Sequence, residues 1–140
     1  MTRGRAMRYR AAERQLWSSL GIAPRERRVR LPQIGTEVRV QELGTGRPVL
    51  FVHGASTCGT SWADLAVRLP DMHCLLLDRP GTGLSDPLDP PIRGVADLVA
   101  MGDTLVSDVL DGLGFPSADL DGCGRGSAAT GSLSSACAGH

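Results

Sequence analysis

Apolar and polar residues alternate in two early stretches of this chain. The stretches are residues 27–31 and 37–41, and a turn around Gly35 separates them. Alternation with a period of two is typical of strands that have one buried and one exposed face. The two stretches therefore predict a half-exposed antiparallel hairpin.

Two later stretches are continuously apolar instead. Residues 48–52 read Pro-Val-Leu-Phe-Val, and residues 72–77 end in three leucines. Strands that are covered on both faces have this pattern, which is typical of a parallel sheet packed between helices. A third, shorter buried strand is expected to begin at residues 118–120.

Helical spacing of apolar residues predicts three helices, at residues 7–20, 61–69 and 92–113, the last ending at Gly114. The apolar members of the first helix are expected to be Met7, Leu16, Trp17 and Leu20. Its arginines are expected to form a solvated face: Arg8, Arg10 and Arg14. The element order predicts an α/β fold, in which an antiparallel hairpin is followed by a parallel β-α-β-α-β unit that stops after the fifth strand.

Length and composition divide the chain into three parts. One hundred and forty residues, 41% of them hydrophobic, suffice for one ordinary domain with a core. From residue 122 onwards Gly, Ser and Ala dominate, and Leu133 is the one large aliphatic residue. We expect an Arg-rich extension at 1–26, a folded part at 27–121 and a disordered tail at 122–140.

Charge and cysteine usage exclude several classes of function. Fifteen basic residues balance fifteen acidic ones, so net charge does not favour a nucleic-acid partner. All the basic residues are Arg, and Asn is missing too, which indicates a GC-rich genome. No apolar run approaches the length of about 18 residues that a membrane span needs, and no signal-peptide core is present, so we expect a cytoplasmic protein without a membrane partner. The cysteines form no C-x-x-C pair, and we expect neither a metal nor a cofactor.

The loops after the two continuously apolar strands carry a pair of motifs. The first strand leads into His-Gly at residues 53–54, with Ser-Trp at residues 61–62. The second leads into residues 78–87, Asp-Arg-Pro-Gly-Thr-Gly-Leu-Ser-Asp-Pro. In this order, with a helix between them, the motifs resemble those of the α/β-hydrolases. The resemblance covers residues 28–121, which is the first half of that fold.

The resemblance implies roles for the first loop. In the α/β-hydrolases a backbone N–H after the His-Gly pair belongs to an oxyanion hole, which stabilises charge developing on a carbonyl oxygen. The matching donor here is the N–H of Ala55. Gly54 would let the backbone approach the substrate closely. His53 would orient the loop and would not act as the catalytic base.

For the second loop the residues themselves predict a structural role. Gly81 and Gly83 would permit the turn, and Asp78 or Ser85 would hold loop backbone by hydrogen bonds. The Gly-Thr-Gly sequence lacks the lysine of a phosphate-binding loop.

The nucleophile elbow of the family, G-x-S-x-G, would follow the fifth strand. Residues 122–126 read Gly-Cys-Gly-Arg-Gly, so Gly124 occupies the nucleophile position and Arg125 would supply the second oxyanion N–H. Glycine has no side chain that could form a covalent intermediate. Ser127 comes three residues too late, and His140 ends the chain within the Gly/Ser tail. The acid and the histidine that follow the nucleophile in the family have no counterpart here.

The leading hypothesis is therefore an N-terminal fragment of an α/β-hydrolase that is inactive as this chain. Complete relatives hydrolyse esters, lactones or epoxides, which are small-molecule substrates. The alternative is a non-catalytic binding or interaction module that keeps half of the fold, and self-association through an exposed sheet edge is expected in either case. A natural truncation, a frameshift and a pseudoenzyme all remain open, and the sequence does not specify a substrate.

Overall fold

The computed structural model describes residues 1–116 and 118–122. Five strands run over Arg25–Leu31 (β1), Thr36–Leu43 (β2), Arg47–Val52 (β3), Met72–Asp78 (β4) and Asp119–Gly122 (β5). Three helices run over Arg3–Ser19 (α1), Ala63–Ala66 (α2) and Val95–Leu113 (α3), and a 3₁₀ turn at Gly59–Trp62 leads directly into α2. The predicted elbow at Gly124 and Arg125 lies outside the described residues, as does nearly all of the predicted tail.

The strands form one sheet in the order β1-β2-β4-β3-β5. β2 is antiparallel to both β1 and β4, whereas β3 is parallel to both β4 and β5. The predicted antiparallel hairpin followed by parallel strands is thereby confirmed. Because Val52 pairs with both Leu77 and Gly122, the carboxyl ends of β3, β4 and β5 meet at the same edge of the sheet.

Helices cover both faces of the sheet. On one face α3 packs over the hairpin and the centre of the sheet, and on the other face α1 and α2 pack over β3 and β4. This cover explains why β3 and β4 are continuously apolar. It also makes the prediction for β2 wrong, because β2 is buried along almost its whole length and is not half-exposed.

Two helices differ from their predictions. α1 begins at Arg3, and Met7 and Leu16 are exposed, so Trp17 is the apolar residue that α1 buries. The helix predicted at residues 61–69 is observed as the 3₁₀ turn followed by the short α2, because the chain turns at residues 67–71 before β4.

The last helix, α3, begins three residues later than predicted, at Val95, and ends at Gly114 as predicted. Its second half packs against the sheet through Leu105, Val109 and Leu113, whereas Val95 remains 77% exposed. No helix in the described part of the chain is long and apolar enough to cross a bilayer.

Candidate functional site

The candidate site consists of two loops at the carboxyl edge of the sheet. The first loop is formed by residues 53–58, directly after β3, and the second by residues 79–87, directly after β4. β3 and β4 are parallel and end in register, with Val52 paired to Leu77. The loops therefore start side by side, where α/β folds bind their ligands.

His53 joins the two loops through both of its ring nitrogens. Nδ1 lies 2.8 Å from the carbonyl oxygen of Gly54, and Nε2 accepts a hydrogen bond from the backbone N–H of Arg79 at 3.2 Å. Because Nε2 is an acceptor, the ring is neutral and Nδ1 carries the hydrogen. Burial lowers the pKa of His53, and the neighbouring Arg79 charge acts in the same direction. The hydrogen bond to Gly54 and the Asp78 charge act against them, but the pKa stays below its ordinary value, which favours this neutral form.

The carbonyl oxygen of Gly54 receives three hydrogen bonds. The donors are His53 Nδ1, the hydroxyl of Thr57 at 3.0 Å and the Nη2 of Arg79 at 3.0 Å. In a planar trans peptide the C=O and the N–H point in opposite directions. Fixing the Gly54 carbonyl toward the protein therefore directs the N–H of Ala55 away from it. Ala55 is exposed, and no described residue accepts a hydrogen bond from this N–H.

The Asp78 carboxylate holds the backbone of the loops that surround it. One oxygen accepts the N–H of Gly59 at 2.7 Å, and the other accepts the N–H of Leu84 at 3.0 Å. Ser85 adds a second link, because its hydroxyl donates to the carbonyl of Asp78 and accepts the N–H of Arg39. The predicted backbone-holding role of Asp78 and Ser85 is confirmed.

Asp78 is 1% exposed, and Arg39 compensates its charge. The Nη2 of Arg39 lies 2.7 Å from Asp78 Oδ2 and 2.6 Å from Glu13 Oε1, so the guanidinium connects α1 to the site. Burial by itself would lower the pKa of Arg39, but its hydrogen bonds to Glu13 and its proximity to Asp78 raise the pKa above the ordinary value. Sequence reasoning missed this cluster, since Arg39 lies in an alternating strand and was expected on a half-exposed face.

The turn after Asp78 leaves no room for a side chain at one glycine. Gly81 and Gly83 both have positive φ, at 78° and 52°. A methyl group on Gly83 would overlap the buried Asp78 carboxylate, whereas one on Gly81 would come no closer than 4.0 Å to Pro87.

Gly83→Ala is therefore expected to reduce the free energy of unfolding by about 1–3 kcal/mol more than Gly81→Ala. Both variants introduce the same type of backbone strain, so their difference isolates the overlap with Asp78. Urea midpoints measured by circular dichroism check this expectation. Equal losses in the two variants would show that the carboxylate can move aside.

The neutral form of His53 predicts a pH dependence of stability. The pKa of His53 is lower in the folded chain than in the unfolded chain. Its contribution to the free energy of unfolding is therefore present above the unfolded pKa of about 6.5, and it is lost as the pH falls through that value toward the folded pKa. We expect the stability advantage of the native chain over His53→Gln to shrink between pH 7.5 and pH 5, the range that brackets the ordinary histidine pKa of about 6.5. Parallel stability–pH curves for the two proteins would contradict a neutral His53.

Solved structures with the same fold include several hydrolases. A hypothetical protein of Pseudomonas aeruginosa is 27% identical over 72% of this chain and 34% of its own, with a TM-score of 0.61. An epoxide hydrolase from an endophytic Streptomyces is 25% identical over 71% of this chain and 29% of its own, with a TM-score of 0.58. An E-2-(acetamidomethylene)succinate hydrolase is 26% identical over 71% of this chain and 35% of its own, with a TM-score of 0.59. No protein-family model matches the sequence, and no curated protein does.

The sheet is part of the α/β-hydrolase fold. The chain spans about a third of the length of these proteins. The fold that the motifs implied is thereby confirmed. The roles of His53, Gly54 and Ala55 stay predictions, although the structure places all three residues in one loop beside the second motif.

Proposed function

We propose that this chain is the N-terminal part of an α/β-hydrolase and supplies one half of its oxyanion hole. The donor is the backbone N–H of Ala55, the substrate is a small ester, lactone or epoxide, and the chain by itself is inactive. A donor that is fixed before the substrate binds stabilises developing charge without reorganisation during the reaction.

The observation that carries this proposal is the Gly54 carbonyl with its three donors. Two of the donors belong to the first loop, and the third, Arg79, belongs to the second loop. Together the three hydrogen bonds fix the peptide unit between Gly54 and Ala55, and a planar peptide unit fixed at its C=O also has a fixed N–H direction.

Inactivity follows from the residues that would have to react. Gly124 stands where a nucleophile would be, no Asp or Glu follows it, and the one histidine after it, His140, is the last residue. Nucleophile, base and acid act as a unit, so an isolated oxyanion donor gives little catalysis.

The 140-residue chain is therefore expected to hydrolyse p-nitrophenyl acetate no faster than buffer. Gly124→Ser is expected to remain inactive too, because a serine hydroxyl without its base is a weak nucleophile at neutral pH. Turnover is expected only in a chimaera of two proteins. Its first part is residues 1–121 of this chain, which carry both loops. Its second part is the portion of the E-2-(acetamidomethylene)succinate hydrolase that follows the segment matched by this chain. Release of p-nitrophenol measures all three proteins.

Turnover by the unmodified chain would contradict the proposal if Cys123→Ala or Ser127→Ala abolished it. Such a result would mean that one of these side chains has taken the place of the elbow serine. Turnover that survives both substitutions would indicate a contaminating esterase, which a mock purification identifies.

A second candidate function is the non-catalytic interaction module. It is favoured by two surfaces: β5 pairs with β3 on one side only among the described strands, and Val95, Leu98 and Val99 are exposed at the start of α3. An unpaired strand edge invites association with another chain. A chimaera that folds cooperatively but remains inactive would favour this module over the hydrolase part.

A further inference from the structure

Arg79 attaches the second loop to the first at two points. Its backbone N–H donates to Nε2 of His53 at 3.2 Å, and its Nη2 donates to the carbonyl oxygen of Gly54 at 3.0 Å. Arg79 is the first residue after β4, and Gly54 is the second residue after β3. Because β3 and β4 are parallel and end in register, the side chain crosses directly from one loop to the other.

The guanidinium of Arg79 has no carboxylate partner among the described residues. Asp78, the residue before it, pairs with Arg39 instead, and no Asp or Glu in the described part of the chain forms an ion pair with Arg79. Burial lowers the pKa of Arg79, but the ordinary value lies so far above neutral pH that the side chain stays charged. Its Nε is buried and unpaired, so the bond to the Gly54 carbonyl is the one hydrogen bond of this side chain to a described residue.

The three donors on the Gly54 carbonyl differ in charge. The His53 ring and the Thr57 hydroxyl are neutral donors, whereas Arg79 is a cation. A hydrogen bond from a charged donor is roughly twice as strong as one between neutral groups. Hydrogen bonds linked through one peptide group also polarise each other, so a cation on the C=O makes the N–H on the other side of that peptide a stronger donor.

We propose that Arg79 is a positioning residue of the site. Its guanidinium acts through the peptide unit between Gly54 and Ala55, which it holds in one orientation and polarises, so that the Ala55 N–H is a fixed and strong donor. This inference rests on the proposed function, because the donor matters for catalysis only as part of an oxyanion hole. It gives the second loop a role beyond the turn that Gly81 and Gly83 form.

The first test measures the order parameter of the Ala55 amide by ¹⁵N relaxation in the full-length chain. We expect a value near 0.85 in the native chain, which is typical of rigid backbone, and a fall to about 0.6 in Arg79→Gln. Thr57→Val is the matched control, because it removes a neutral donor that lies at the same distance, 3.0 Å, from the same carbonyl. Its order parameter is expected to stay within about 0.1 of the native value, as is that of Arg79→Lys, which keeps the charge.

The second test measures p-nitrophenyl acetate hydrolysis by the chimaera. Arg79→Gln is expected to lower kcat about tenfold with KM changed less than about twofold, because the donor acts on charge that develops after the substrate binds. Arg79→Lys is expected to lose no more than about threefold in kcat, since a charged donor remains. In an Ala55→Pro background, Arg79→Gln is expected to cost less than about twofold more, because no N–H is left for Arg79 to position.

The inference is wrong if Arg79→Gln leaves the Ala55 order parameter at its native value, or if Thr57→Val lowers it equally. It is also wrong if Arg79→Gln still costs about tenfold in the Ala55→Pro background, because Arg79 would then act other than through the Ala55 N–H. Urea midpoints check that each variant remains folded. The order parameters need no turnover, so this inference and the proposed function can fail separately: full activity in Ala55→Pro would refute the oxyanion donor, whereas a rigid Ala55 amide in Arg79→Gln would refute the role of Arg79.

Discussion

Arg39→Met is expected to reduce the free energy of unfolding by about 3–5 kcal/mol, as removing one partner of a buried ion pair does. The substitution keeps a long apolar side chain but removes the guanidinium between Glu13 and Asp78. Both carboxylates are buried, so each would lose its nearest compensating charge within the protein. Asp78 would then hold the N–H groups of Gly59 and Leu84 while carrying an unpaired charge. Urea unfolding at neutral pH measures the loss.

Arg28→Met is the matched control for this prediction. Arg28 lies on the neighbouring strand and also bridges two carboxylates, those of Glu37 and Asp86, but all three side chains are at least one-third exposed. Exposed ion pairs contribute about 0–1 kcal/mol, so this variant is expected to stay within about 1 kcal/mol of the native chain. Similar losses in the two variants would show that water reaches Arg39 and that the ion pair is not buried in solution.

Sequence patterns predicted the strands that are apolar on both faces, because that pattern depends on burial alone. β3 and β4 lie in the middle of the sheet, and their central residues pack into an apolar core on each face. The structural roles of Gly81, Gly83 and Asp78 at the turn after β4 were also predictable, since turn residues act over a few positions.

The Glu13–Arg39–Asp78 cluster could not be predicted in the same way. An alternating strand such as β2 normally has one face in water. Here that face is covered, because α1 packs on it through Glu13 and the rings of Tyr9 and Trp17. The pairing joins three residues from separate segments, and no local period encodes which arginine meets which carboxylate. The single acidic residue of α1, Glu13, was the available signal.

The contact between the two loops could not be predicted from the sequence for a similar reason. The motifs placed both loops at the same edge, but the Nη2 of Arg79 on the Gly54 carbonyl depends on how the strands pair in space. This contact helps to set the direction of the Ala55 N–H, which is the donor of the proposed oxyanion hole.

Ala55→Pro in the active chimaera is expected to lower kcat by about 10²–10³-fold, which is the effect of removing one oxyanion donor. Proline has no backbone N–H, so the substitution deletes the proposed donor without adding or removing a charge. KM is expected to change little, because the hydrogen bond strengthens only as negative charge develops on the substrate oxygen. Steady-state hydrolysis of p-nitrophenyl acetate measures both constants.

Ala55→Gly is the control, because it removes the side chain and keeps the N–H. We expect it to retain most of the activity of the chimaera, and urea midpoints should show that both variants remain folded. If Ala55→Gly lost as much activity as Ala55→Pro, loop flexibility rather than the missing donor would explain the effect. If Ala55→Pro kept its activity while folded, the oxyanion would have to be stabilised elsewhere, and the three hydrogen bonds on the Gly54 carbonyl would serve the stability of the loop alone.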